Sequence, residues 1–390
     1  MNRRVFVAVA FALAAGAVGA ALAARGGDST ASAATAGCRA WVAAPAYRRE
    51  IASVQGLVPR MKRAFAAPGL SVAIAADGKL VWSESCGFAD LARRRPVTRT
   101  TQFRIGSVSK PLTAVTAARL AQAGGLDLDA EITRYLAAFP RRDGVPTLRQ
   151  LGGHLGGIRH YQGAEAVNRR HYASVTDSLR VFIDDPLVAA PGTAFHYSSY
   201  GFNLLGAAIE SASGTTFADG VREQVLTPLG MNATTVGREL PDASRFYEVT
   251  GARRARPAPP IDLSDRYPSG GFLSTADDLA RFGIGLTDPR FLDQQSQALL
   301  FTTQRTRAGQ ATGYGFGFEL HGSPFGPIAG HTGNVVGGTA LLLLHPRTRV
   351  VVALTTNIGF VTAPRPPDLR GTPEPGQLAL PFIRHVLAAR

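Results

Sequence analysis

Two strand pairs stand at opposite ends of the folded body, and neither can bury its own apolar faces. The first is Leu70-Ser-Val-Ala-Ile-Ala-Ala, then Asp77-Gly78, then Lys79-Leu-Val-Trp-Ser-Glu-Ser-Cys. Asp-Gly readily takes the positive φ values of a tight hairpin turn, so these residues read as two strands. The second is Gly338-Thr-Ala-Leu-Leu-Leu-Leu and Arg349-Val-Val-Val-Ala-Leu-Thr-Thr, joined by His345-Pro-Arg-Thr. Between them, Leu112 to Ala123, Ser178 to Ile183, Phe202 to Ser211, Phe217 to Leu226 and Ala276 to Leu286 carry helical spacing or helix-forming composition. An isolated hairpin is marginal in water, so the economical solution is one antiparallel sheet assembled from both ends. That predicts an α+β chain with helices packed on the sheet, a helical lobe inserted at about residues 126–310, and an active site in the crevice between lobes. The last segment, Gly376 to Arg390, reads as a helix returning to the sheet.

Composition agrees with a large folded body. The 390 residues are 45% hydrophobic, and 43 Gly with 25 Pro imply many turns rather than a helical bundle. The net charge of +14 comes almost wholly from Arg, because only Lys62, Lys79 and Lys110 supply lysine. The basic runs Arg93-Arg94-Arg95 and Arg253-Arg254-Ala255-Arg256 carry no aromatic stacking platform and no nucleic-acid motif, so they read as solvated surface. Such charge also suits association with an anionic cell envelope. Asn2-Arg3-Arg4 followed by the apolar run Val5 to Ala24 reads as a signal peptide or N-terminal anchor over 1–24, and hence as export to the periplasm or envelope. Residues 25–45, rich in Ala, Gly, Ser and Thr, read as a linker to a catalytic domain at 46–390. Cys38 and Cys86 are the only cysteines, either joined in an oxidising compartment or present as two buried thiols.

Three clusters carry chemistry. In Phe103-Arg-Ile-Gly-Ser107-Val-Ser-Lys110-Pro-Leu, the hydroxyl and the amine are three residues apart at a helix start, which puts both on one face. A serine hydroxyl needs a base, and a lysine serves only when its pKa is depressed by burial or charge. By itself a Ser-x-x-Lys spacing arises easily by chance. The second cluster is Phe195-His-Tyr197-Ser198-Ser199-Tyr-Gly, entering a helix. A Tyr at such a place ordinarily packs with its hydroxyl satisfied locally. The third is Ala329-Gly330-His331-Thr332-Gly333-Asn334, just before the second strand pair, where a lone His would more often be structural.

Taken together and in this order, the clusters resemble class C β-lactamases, D-alanyl-D-alanine carboxypeptidases and related esterases of the penicillin-binding and serine β-lactamase superfamily. The resemblance runs over about residues 46 to 360. It includes Leu148-Arg-Gln-Leu-Gly-Gly-His154-Leu-Gly-Gly-Ile, Gly270-Gly-Phe-Leu-Ser-Thr-Ala-Asp-Asp-Leu and Leu354-Thr-Thr-Asn357, and Gly156-Gly-Ile-Arg-His160-Tyr is most similar to the serine β-lactamase-like peptidases. It implies a β-lactamase/transpeptidase-like fold and an acyl-enzyme on Ser107, with Lys110 handling the proton and Tyr197 as general base for acylation and acid toward the leaving group, either of the two being able to take the first proton. It further implies that His331, Thr332, Gly333, Asn334 and Ser199 bind substrate, and that the backbone N–H groups of Ser107 and Asn334 form an oxyanion hole. Two departures stand out: Ser199 replaces the Asn of the usual Tyr-x-Asn, and His154-Leu-Gly-Gly replaces His-Thr-Ser-Gly. The first disfavours efficient β-lactam hydrolysis, so peptidase, carboxypeptidase or esterase activity is expected in preference to that of a β-lactamase, the substrate being a small peptide, ester or β-lactam. A non-catalytic penicillin-binding receptor or filament-forming scaffold of the same fold is the alternative. No cofactor is implied, no Gly-x-Ser-x-Gly elbow is present, and the eight His form no convincing metal-ligand spacing.

Overall fold

The computed structural model describes residues 37–141, 144–249, 254–359 and 374–389. The targeting segment read at 1–24 lies outside them. The main sheet contains β1 (Cys38–Ala43), β2 (Gly69–Ala76), β3 (Lys79–Asp90), β4 (Glu319–His321), β5 (Ile328–Val335), β6 (Gly338–His345) and β7 (Val350–Thr356). Their order across the sheet is β1-β3-β2-β7-β6-β5-β4, with a short strand at Arg95–Pro96 added to β3. Every pairing is antiparallel. The two ends of the chain meet at the β2–β7 ladder, where Val352 faces Ile74 and Leu354 faces Val72. At the first hairpin Asp77 and Gly78 both adopt positive φ, 48° and 75°, as the tight turn demands.

The strand sequences look uniformly apolar because both faces of the sheet are covered. Along β2, Leu70, Val72, Ile74 and Ala76 enter one core and Ala73 and Ala75 the other. Along β6 the alternation is Leu341 and Leu343 against Ala340, Leu342 and Leu344. This is the two-residue period of a pleated strand, with each fully buried Leu or Val contributing roughly 1.5–3 kcal/mol. One face is covered by α1 (Arg48–Val54), α2 (Leu57–Ala64) and α6 (Leu380–Ala388), which bring Val58, Met61, Phe382 and Ile383 into the core. The other face carries α3 (Ser109–Gln122), α4 (Ser199–Ser213) and α5 (Ala276–Gly285). Helix α5 lies so close to β7 that a Cβ on Gly283 would stand 2.5 Å from the Val351 side chain.

Two expectations need correction. Residues 38–43 of the stretch read as linker form edge strand β1, paired to β3 with Cys38 opposite Cys86. A disulfide joins these two cysteines, closing a separation of 48 residues. In the chain-entropy account a loop of that size is worth about 4 kcal/mol. Composition pointed to a linker because the tie to the body is covalent and made through backbone, neither of which leaves an apolar pattern.

The inserted segment is also not wholly helical and does not extend unbroken to 310. Phe272–Ser274 pairs with Phe103–Arg104 and with Thr235–Val236, and Tyr247–Val249 pairs with Ala255–Pro257 and Ile358–Gly359. Helix α5 belongs to the sheet layer. These strands have only two or three residues, too few to show an alternating pattern.

Candidate active site

The site forms where α3 begins, and close backbone contact makes it possible. Gly106 has φ of 51°, and a Cβ there would stand 2.8 Å from the backbone nitrogen of Asn334. A Cβ on Gly333 would overlap the carbonyl oxygen of Ile105 at 1.9 Å. Only glycine at both positions lets β5 press against the turn that carries Ser107. Ser107 itself sits in a 3-10 turn, Gly106–Val108, leading directly into α3. The turn that carries Ser107 therefore lies against the Gly333–Asn334 backbone at a helix N-terminus, where N–H groups favour developing negative charge.

Lys110, in the first turn of α3, is completely buried. Its Nζ lies 2.9 Å from Ser107 Oγ, 3.1 Å from Ser199 Oγ and 3.0 Å from the Ser269 carbonyl oxygen. Burial, with a further push from Arg266, lowers its pKa to about 7 despite the opposing pull of Glu319. Tyr197 donates its hydroxyl to Ser107 Oγ at 3.0 Å. Loss of water around this phenol pushes its pKa upward, and the Ser107 hydrogen bond only partly offsets that. The Nζ of Lys110 stands 4.9 Å from the Tyr197 ring centroid.

Two histidines hold the chain that presents Tyr197. The Nδ1 of His154 accepts the Ser198 N–H at 3.1 Å, and the Nδ1 of His160 accepts the Ser199 N–H at 3.2 Å. His154 also packs against the Tyr197 ring at 4.3 Å between centroids and is held at φ of 60°. Its burial, aided by repulsion from Lys110, drives the imidazole pKa well down, so the ring stays neutral and Nδ1 stays an acceptor. Ser198 caps α4 by accepting from the Gly201 N–H, which fixes where the helix starts after Tyr197.

Ser107, Lys110, Tyr197 and Ser199 thus meet within hydrogen-bond reach, and the shorter side chain at 199 still contacts the amine. The third cluster arrives on β5. His331 was expected to line the crevice. It is 2% exposed, with Nε2 2.9 Å from the Tyr314 hydroxyl and Nδ1 2.6 Å from the Thr332 carbonyl oxygen, and its ring stands 6.2 Å from that of Tyr197, so it forms part of the wall beside the phenol. Thr332 is half-buried and donates its hydroxyl to Glu319 at 3.4 Å. Sequence reasoning did not single out Ser269, Tyr314 or Glu319. Tyr314 and Glu319 lie on an edge segment without a motif, and Ser269 acts through its carbonyl, which any residue could supply. Among the described residues, the one group with metal-ligand geometry is Cys38, Glu84 and Cys86, whose two sulfurs are already bonded to each other.

Comparisons with known proteins fit this geometry. The Beta-lactamase family model matches residues 56–371. The chain is 29% identical to the mitochondrial serine beta-lactamase-like protein LACTB of Homo sapiens, over 77% of this chain and 73% of the relative. It is 28% identical to penicillin-binding protein 4* of Bacillus subtilis, over 74% of this chain and 67% of that protein. Among solved structures, the octameric penicillin-binding protein homologue from Pyrococcus abyssi superposes with a TM-score of 0.72 at 24% identity, covering 87% of this chain and 78% of that one. D-amino acid amidase from Ochrobactrum anthropi superposes with a TM-score of 0.71 at 24% identity, covering 88% of this chain and 100% of that one, and these two structures speak to the fold. A family model spanning most of the folded body, relatives of both kinds and the shared fold lead to one conclusion: the chain belongs to the serine β-lactamase and penicillin-binding-protein family.

Proposed function

We propose that this chain is a serine hydrolase that works through an acyl-enzyme on Ser107, acting as a peptidase, amidase or esterase in preference to a β-lactamase. One observation carries the proposal: a single oxygen, Ser107 Oγ, lies within hydrogen-bond reach of both a buried amine and a phenol. A neutral amine has two N–H bonds and one lone pair. With the N–H groups of Lys110 given to the Ser269 carbonyl and to Ser199, the lone pair is left for the Ser107 hydroxyl.

In this scheme Ser107 attacks the substrate carbonyl as its proton passes to Lys110. The N–H groups of Ser107 and Asn334 receive the oxygen that becomes negative. The Lys110 proton then goes to the departing nitrogen or oxygen, while Tyr197, still protonated at neutral pH, donates a hydrogen bond to that atom. Water enters, Lys110 removes its proton, and the same steps in reverse release the acid and restore Ser107. Of the two candidate bases we assign the role to Lys110, because burial moves the pKa values of Lys110 and Tyr197 in opposite directions.

The fold similarity to a D-amino acid amidase and the serine at position 199 support amide or ester substrates. A panel of p-nitrophenyl esters, D-alanyl peptides, amino-acid amides and a chromogenic cephalosporin should give the highest kcat/KM on an ester or amide. Fastest turnover of the cephalosporin would reverse the preference.

We also infer export to the periplasm or cell envelope, with retention aided by the +14 charge. The basic, then apolar N-terminus and the Cys38–Cys86 disulfide support this, since such bonds persist in oxidising compartments. Fractionated cells should yield the protein in the envelope fraction, released progressively as the salt of the wash rises. Recovery in the cytosol would remove the inference.

A further inference from the structure

On β4, Glu319 faces Gly330 of β5. Thr332 is two residues further along that strand, so its side chain shares the face of Gly330 and falls on the diagonal from Glu319. The contacts follow from this register. Glu319 Oε1 accepts the Thr332 hydroxyl at 3.4 Å and lies 3.6 Å from His331 Nδ1, while Oε2 lies 3.4 Å from His321 Nε2. The carboxylate is neither sealed in nor free in water, with its side chain 27% exposed. Its charge is kept. Burial pushes its pKa up, but His331, His321 and the Thr332 backbone together hold it below the ordinary carboxylate value.

Its position relative to the reacting groups gives this charge a consequence. In the scheme proposed above Tyr197 serves the leaving group, and the His331 ring is 6.2 Å from the Tyr197 ring. The His331–Thr332 stretch therefore flanks the leaving group. Both ring nitrogens of His331 are engaged inside the wall, and burial lowers the imidazole pKa against the pull of Glu319. The Thr332 hydroxyl, which would otherwise be free to receive a substrate carboxylate, is directed at Glu319.

We propose that Glu319 is a specificity-determining residue: it turns the leaving-group side of the cleft against substrates that carry a free carboxylate there and selects neutral or cationic leaving groups, such as amides, uncharged esters or amine-bearing termini. The inference rests on the acyl-enzyme reading and narrows it away from carboxypeptidase substrates. Like charges a few ångströms apart in a partly desolvated cleft are worth roughly tenfold or more in rate.

A matched ester pair isolates the effect. 4-Nitrophenyl butyrate and 3-carboxy-4-nitrophenyl butyrate give the same acyl-enzyme and differ by one carboxylate on the leaving group, so the ratio of their kcat/KM values reports acylation alone. The wild type should favour the neutral ester by roughly tenfold or more after correction for the uncatalysed rates, and added salt should narrow the gap. Glu319→Gln should cut the ratio about tenfold, and Glu319→Asp, which keeps the charge, should largely restore it. A wild-type ratio near one, a ratio unmoved by salt, or an equal ratio in Glu319→Gln overturns the proposal, as does failure to accept the neutral ester. Covalent labelling of Ser107 by a fluorophosphonate, run beside these assays, separates the two ideas: labelling with an unshifted ratio defeats the role of Glu319, whereas absence of labelling on the wild type defeats the acyl-enzyme itself.

Discussion

Ser107→Ala should carry no adduct after treatment with a fluorophosphonate and should lose at least about 10⁴-fold in kcat/KM on the best ester or amide, while its circular dichroism and unfolding midpoint stay near those of the wild type. The size of the loss follows from the geometry. Ser107 Oγ is where the lysine amine and the tyrosine hydroxyl converge, so its removal leaves a base and a donor with nothing between them. Groups acting as a unit lose nearly everything when the central one is removed, and what remains is binding plus the backbone donors. Ser109, Ser198 and Ser199 do not rescue the variant. Ser109 Oγ is committed to the Phe272 N–H, Ser198 Oγ to the Arg159 carbonyl, and Ser199 contacts Lys110 from a buried position. The fold survives because the turn is fixed by glycine contacts at Gly106 and Gly333, not by the hydroxyl.

Intact-mass spectrometry on both proteins with an acylating substrate, a p-nitrophenyl ester or a penicillin, in place of the fluorophosphonate decides between classes of function. A transient adduct with product marks a hydrolase. An adduct that persists without product marks a penicillin-binding receptor, and no adduct on either protein marks a scaffold that retains the fold without the chemistry.

The sheet was legible in the sequence for a specific reason. Strands β2, β3, β6 and β7 are each long enough to show an apolar run, and Asp77-Gly78 announces the turn between the first two. The joining of the two ends followed from exposed apolar surface alone, without knowledge of register. Strand β1 was missed because its attachment is backbone pairing plus one disulfide. The site divides in the same way. Ser107, Lys110, Tyr197, Thr332 and Gly333 sit in short motifs whose spacing has a mechanical meaning, and the structure brings them to one place. Glu319 and Tyr314 come into play only through pairing of β4 with β5, a long-range contact with no local signature. The interior position of His331 likewise depends on Tyr314, a residue 17 positions away. The pKa order of Lys110 and Tyr197 was beyond reach for another reason: desolvation is a property of the packed crevice, not of the letters that line it.

That order yields the second large effect. If neutral Lys110 accepts the Ser107 proton, kcat/KM for a neutral ester should fall about tenfold per pH unit below a midpoint near 7, where Lys110 becomes an ammonium and its lone pair is lost. Tyr197 contributes no loss in this range, because its raised pKa keeps the phenol protonated. A rate that stays flat from pH 5 to 8 would contradict the assignment of the base. Lys110→Met should lower kcat/KM by several orders of magnitude and also change the pH dependence of stability, in a direction fixed by linkage. The folded-state pKa is depressed below the ordinary lysine value, so between about 7 and 10.5 the unfolded chain binds the extra proton. Stability of the wild type therefore gains from this group as pH rises through that window, and the penalty is fully present below it. Methionine carries no such penalty. Relative to wild type, Lys110→Met should be favoured by about 3–5 kcal/mol more at pH 6.5 than at pH 10.5. Comparing denaturant midpoints of the two proteins at those two pH values cancels the titration of other groups and the fixed cost of leaving the Ser269 carbonyl and the Ser199 hydroxyl without the amine. Parallel pH profiles would mean that Lys110 keeps its ordinary pKa in the folded chain, and the proton acceptor for Ser107 would have to be sought elsewhere.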